Sequence, residues 1–158
     1  PAHMGLAQSA YGAGLILGAL VAPVSARRLP PLAILIFGPA VSVIAAGLFL
    51  SAPSGNGFAY AAAGHFLVGF GPMLWLICQI TVRQLVTPAP LMGRVNATMQ
   101  TAIYGVRPLG ALAGGFVAAQ AGLHAALLLI AAAFALSTLV IVLSPLARLR
   151  VLPEPACA

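Results

Sequence analysis

The chain has no aspartate and no lysine, and Glu154 is its single acidic residue. That scarcity excludes much chemistry. No Ser/His/Asp set can form, and no carboxylate pair is present for acid–base work. A phosphate-binding glycine loop needs a lysine, so no ATP-driven pump is encoded. Charged residues make up 5% of the 158, against about 25% in an ordinary soluble domain. A soluble domain needs a charged skin, and this composition cannot supply one. A disordered chain is excluded more firmly, because such chains are rich in polar and charged residues. The two cysteines, Cys78 and Cys157, stand in no CxxC or Cys/His metal spacing. The sequence therefore predicts no enzyme, no metal site and no cofactor.

What is present is apolar: 62% of residues by the AVILMFWYC count. The net charge of +6 comes from arginine. A nucleic-acid binder would gather such charge into a patch on a polar surface. Here the arginines stand between long apolar runs, as in the loops of a membrane protein. No nucleic-acid partner is expected. Seventeen glycines and thirteen prolines would weaken soluble helices, but both are more frequent in transmembrane ones. The N-terminus lacks the basic region of a cleavable signal peptide. Its opening, Pro1-Ala2-His3-Met4, reads as internal to a longer chain.

A transmembrane helix needs about 20 mostly apolar residues. Five runs qualify, over residues 4–25, 32–50, 58–85, 94–121 and 123–143. Arg27, Arg28, Pro30 and Pro31 close the first, and an uncharged turn from Ser51 to Gly57 closes the second. Thr87-Pro-Ala-Pro90 closes the third, Gly122 breaks the fourth, and Ser144-Pro145 ends the fifth. Each run must be helical, because lipid offers no partner to free backbone groups and the runs are too long for barrel strands. Pro39, Pro72 and Pro108 lie inside runs and predict kinks. The expected fold is an all-α polytopic membrane protein, with a short tail over residues 147–158.

The loops alternate sides. Arg27 and Arg28 follow the first span, Arg83 and Arg94 flank the turn after the third, and Arg148 and Arg150 follow the fifth. Six of the seven arginines thus fall on one side, which the positive-inside rule makes cytoplasmic. The N-terminus is then outside and the tail inside a cell membrane.

Arg107 is the exception. It lies 13 residues past Arg94, about 20 Å along a helix and deep in a hydrocarbon core about 30 Å thick. Intramembrane charge is costly and usually functional. Arg107 fits a substrate-anion or coupling contact facing a wet cavity. It also fits a structural arginine bonding carbonyls freed near Pro108, or one that snorkels. Asn96, Gln100, Arg107 and Gly114 share a helix face, with Tyr104 beside them. Such a stripe faces protein or water rather than lipid, lining a cavity or bonding a neighbouring helix. The third span has a comparable arc of His65, Gly69, Pro72, Leu76, Gln79 and Arg83, flanked by Trp75. His65 suits a proton relay or an interfacial position near the outer end. Gln79 suits a cavity contact, and Trp75 suits packing or recognition. Gly14 with Gly18, and Gly110 with Gly114, have the small-xxx-small spacing of close helix packing.

From Arg83 onward the residues form an ordered series: Arg83-Gln-Leu-Val-Thr-Pro88, Gly93-Arg-Val-Asn-Ala-Thr98, Tyr104-Gly-Val-Arg-Pro-Leu-Gly-Ala-Leu-Ala-Gly-Gly115 and Ser144-Pro-Leu146. This series resembles the C-terminal half of a major facilitator superfamily permease. The branch it resembles most holds the enterobactin-exporter-like and macrolide-efflux-like drug:proton antiporters. The Gly93 to Ala97 string is fairly specific to that branch. The resemblance implies a twelve-helix fold, with the five spans matching helices 8–12 and residues 1–146 forming a partial C-terminal bundle. It implies that Arg27, Arg28, Arg83, Gly93, Arg94 and Asn96 belong to cytoplasmic-loop motifs. It adds support for Arg107, Tyr104, Gln79, Trp75 and His65 as substrate or cavity contacts, while Gln100 is a candidate from the stripe. The family's Gly-x-x-x-Asp-Arg-x-Gly-Arg loop motif survives only as the arginine pair, with Pro30 where glycine is usual. Helix seven and the N-terminal half are absent.

The expected function is that of a fragment of a secondary active transporter: proton-coupled efflux of a small hydrophobic or amphipathic molecule. Its partners are the substrate, protons, the missing N-terminal half and the lipid bilayer. Alone it is not expected to transport. A self-standing small membrane protein that docks a partner, without a transport cycle, fits the same residues.

Overall fold

Long apolar runs leave the backbone one way to satisfy its own hydrogen bonds, the helix. The structure, a computed structural model, describes residues 2–53 and 57–144. It contains α1 (Ala2–Arg28), α2 (Pro31–Leu50), α3 (Gly57–Val86), a 3₁₀ turn (Ala89–Leu91) and α4 (Met92–Leu143). No strand occurs among the described residues. All four long helices are long and apolar enough to cross a membrane. Arg148, Arg150, Glu154, Cys157, Pro145, Leu146 and the tail 147–158 lie outside the described residues.

Several ends differ from the expected ones. α1 continues past residue 25 to take Arg27 and Arg28 into its last turn, where cations suit the negative end of the helix. Pro30, extended at φ −61° and ψ 145°, then separates it from α2, which opens on Pro31. Proline is favoured at that first helical position. The α2 end is closed by Ser51, whose hydroxyl donates to the Gly47 carbonyl at 2.8 Å. Pro23, Pro39, Pro72 and Pro108 each sit inside a helix. Within the described helices, non-helical backbone angles are found at Gly122 in α4, at φ 84° and ψ 169°, a region open essentially to glycine alone.

α3 is the centre of the bundle. α1 lies parallel to it, with Tyr11 beside Gly69 and Gly18 beside Phe70 and Met73. A Cβ on Gly18 would stand 2.9 Å from the Phe70 carbonyl oxygen. On Gly14 it would run into the Phe66 carbonyl, and on Gly69 into that of Tyr11. Small residues let these backbones touch. α2 lies antiparallel to α3: Gly38 meets Trp75, Val41 meets Gly71 and Phe49 meets Gly64. The buried core is Ala22, Ile34, Leu35, Leu74 and Cys78, with Trp75, Ile77, Val82 and Ile141 packed against it.

α4 is 52 residues long, so a straight helix would reach about 78 Å. Met99 and Ile141 would then be about 63 Å apart, yet both line one cavity. The chain therefore doubles back at Gly122. Its second half runs along α2, with Phe134 and Ser137 near Gly38, Pro39 and Ser42. Its first half is bare: every residue from 97 to 113 is exposed. Large apolar side chains face outward over the whole bundle, among them Leu20, Leu109, Phe116 and Leu143.

Candidate functional site

The last three turns of α3 turn Trp75, Gln79, Val82, Arg83 and Val86 towards α2 and α4. The steps between them are helical ones, so the five form one face. With Leu35 of α2, and Met99 and Ile141 from the two halves of α4, they line an open cavity of about 290 Å³. Its walls are apolar apart from Gln79 and Arg83. Gln79 Oε1 and Arg83 Nε are both buried without a hydrogen-bond partner. Leaving such an atom unpaired costs about 1–3 kcal/mol. Structures keep such costs mainly where a ligand, an ion or water completes the set.

Trp75 is also a wall of a second cavity of about 160 Å³, lined by Gly38, Pro39, Ser42, Pro72, Phe134 and Ser137. The Ser42 hydroxyl there is already satisfied, donating to the Gly38 carbonyl at 3.1 Å. A third space of about 210 Å³ lies between α1, α2 and α3, with Phe37, Phe70 and Leu74 on its walls. Neither has a buried side-chain nitrogen or oxygen without a partner.

Of the residues expected at a cavity, Gln79 and Trp75 come together, and Arg83 joins them. His65 does not. It is half-buried further along α3, with Nδ1 2.7 Å from the Ala61 carbonyl oxygen. Its ring stands edge-on to Phe49 at 5.2 Å. Gln100, Tyr104 and Arg107 lie on the bare stretch of α4 and are exposed. The Arg107 guanidinium carbon sits 4.9 Å from the Tyr104 ring centre. Asn96 is half-buried near the start of α4.

The six residues expected in cytoplasmic-loop motifs are all helical, including Arg27, Arg28 and Gly93, which fall between the expected spans. Arg27 and Arg28 end α1, Arg83 lies in the last turn of α3, and Gly93, Arg94 and Asn96 open α4. The turn between α3 and α4 is shorter than expected, so the helices absorb the motif. Because α1 and α3 are parallel and α4 starts beside the end of α3, Arg27, Arg28, Arg83 and Arg94 gather at one end of the bundle. The two glycine pairs part company. Gly14 and Gly18 touch α3, whereas a Cβ on Gly110 or Gly114 would meet nothing within 4 Å.

The predicted arc on α3 is split by packing. Gly69 turns to α1, while Gln79 and Arg83 turn to the cavity. Positive-inside counting places Arg83 at a membrane face and says nothing of where its side chain points. The one sequence signal for its role is its spacing of four from Gln79. The apolar walls Leu35, Met99 and Ile141 carry no signal that sets them apart from other apolar residues.

These features define a polytopic α-helical protein of membrane type. No protein-family model, no curated protein and no solved structure matches the chain. The likeness to major facilitator permeases rests on its motifs alone.

Proposed function

We propose that the chain is part of a secondary active transporter of the major facilitator type. In this reading α4 crosses the membrane twice, turning at Gly122, so the chain makes five crossings. They correspond to helices 8–12 of the twelve. The arginine-rich end is cytoplasmic and the N-terminus is outside. The transporter moves a small hydrophobic or amphipathic molecule out of the cell, driven by the proton gradient. Alternating access comes from rocking one half of the bundle against the other around a midplane site.

The observation that carries this reading is the cavity on α3, apolar but for two buried, unpartnered polar atoms. Small-molecule sites are concave and mostly apolar, with a few placed polar groups. The bare stripe of Gln100, Tyr104 and Arg107 adds support. A polar stripe at membrane depth needs protein or water against it, and the described helices supply neither. A docking protein without a transport cycle would share that stripe, but has no use for the cavity.

Proton-driven flux of an amphipathic dye tests the reading. The full natural product in sealed vesicles should move the dye when a pH gradient is imposed. Arg107→Ala should abolish flux while leaving helix content unchanged, and this chain alone should give none. Flux from the chain alone, or full flux with Arg107→Ala, contradicts the proposal.

A further inference from the structure

We propose that the cavity between α2, α3 and the folded-back α4 binds an amphipathic organic anion, its head on Arg83 and Gln79 and its tail along Trp75. This deepens the transport reading above by naming the class of molecule that the site takes.

Arg83 decides the sign of the ligand. Its guanidinium is always charged and offers only donors. Its Nε is buried and unpartnered, and the described residues contain no carboxylate to answer it. Arg83 is half-buried, so the cost falls on its buried Nε donor, which is left without a hydrogen bond. A ligand that brings an anionic oxygen removes that cost and forms a charge-assisted hydrogen bond. A cationic amphiphile would add repulsion in the same place.

Gln79 is the second contact. It stands one turn before Arg83 on the same face, and its buried Oε1 also has no partner. Rotating the amide about its last bond exchanges oxygen for NH₂. Gln79 can thus accept from a protonated acid or donate to an ionised one. Carboxylate and sulfonate heads both suit this pair. The remaining walls, Leu35, Met99 and Ile141 among them, are apolar and suit an alkyl or aromatic tail. At about 290 Å³ the space lies near the lower end of small-molecule sites, which favours a single short tail.

Trp75 makes the test direct. It is the one tryptophan of the chain and lines the cavity, and a bromine atom quenches indole fluorescence on contact. The whole chain is placed in discs of zwitterionic lipid and titrated with ω-bromoundecanoate. We expect saturable quenching that unbrominated undecanoate reverses. Arg83→Gln should weaken the saturable part about tenfold or more, the loss expected for a hydrogen bond to a charged group. Arg83→Lys should restore much of it. A bromoundecyl trimethylammonium should quench only in linear proportion to its partitioning. Linear quenching by the anion, equal saturation by the cation, or an unchanged Arg83→Gln titration overturns the proposal. Should Arg83→Gln fail to fold, reversal by undecanoate and the comparison with the cation decide on the unaltered chain. Binding is read here without flux, so a failed titration leaves the transport reading standing, and a failed flux assay leaves the site standing.

Discussion

At the residue scale, glycine marks where the helices truly touch. Gly14 faces the Phe66 carbonyl with no space for a methyl group, whereas Gly110 faces open space. Both sit in helices, so alanine brings the same gain in helix propensity at each. The difference between the two variants isolates packing. Gly14→Ala should cost about 1–3 kcal/mol more than Gly110→Ala, the usual penalty for overfilling a tight contact. Unfolding of the chain in mixed micelles with increasing denaturing detergent measures it. Equal stabilities would mean that α1 does not lie against α3 as described. The small-xxx-small spacing of both pairs was legible in the sequence; which pair has a neighbour was not. Spacing describes one helix, while contact depends on what stands opposite. The same holds for Arg83, whose charge was legible and whose inward aim was not. Arg107 is the converse case: its place along the helix followed from counting residues, and it sits against Tyr104, three residues away on its own helix.

At the scale of elements, the helices and their breaks follow closely from composition. Pro30 and Pro31 separate α1 from α2, and Pro88 and Pro90 set the turn before α4. The break at Gly122 also follows, since only glycine adopts its backbone angles readily. Less legible was how far each helix runs. Arg27 and Arg28 read as loop residues by charge, yet join α1 because a helix end accommodates cations. The doubling back of α4 makes a sharp prediction. If α4 crosses the membrane twice, its two ends share a side; if once, they face opposite sides. In a chain lacking Cys78 and Cys157, single cysteines at Ala89 and Leu143 should react with an impermeant maleimide from the same face. Both positions are exposed, so access is not limited by burial. Labelling from opposite faces would remove the five-crossing arrangement.

At the scale of the whole molecule, the bundle is well packed on one flank and bare on the other. α3 is clasped by α1 and α2, while the first half of α4 stands uncovered from residue 97 to 113. An all-apolar bare face would need only lipid. This one carries Gln100, Tyr104 and Arg107, which lipid cannot satisfy. Arg107 lies near the middle of its half of α4, about 20 Å along the helix from Arg94. The sequence displays the stripe but not what stands against it, because spacing along one helix does not show what lies opposite. Our central claim is that further helices of one larger transporter cover it.

The most direct measurement is the size of the natural product in native membranes, detected with an antibody raised against residues 150–158. We expect one species more than twice the 15.9 kDa of this chain, large enough for the helices that close over α4. A species at 15.9 kDa would contradict the claim, and would make α4 a docking face for a separate protein.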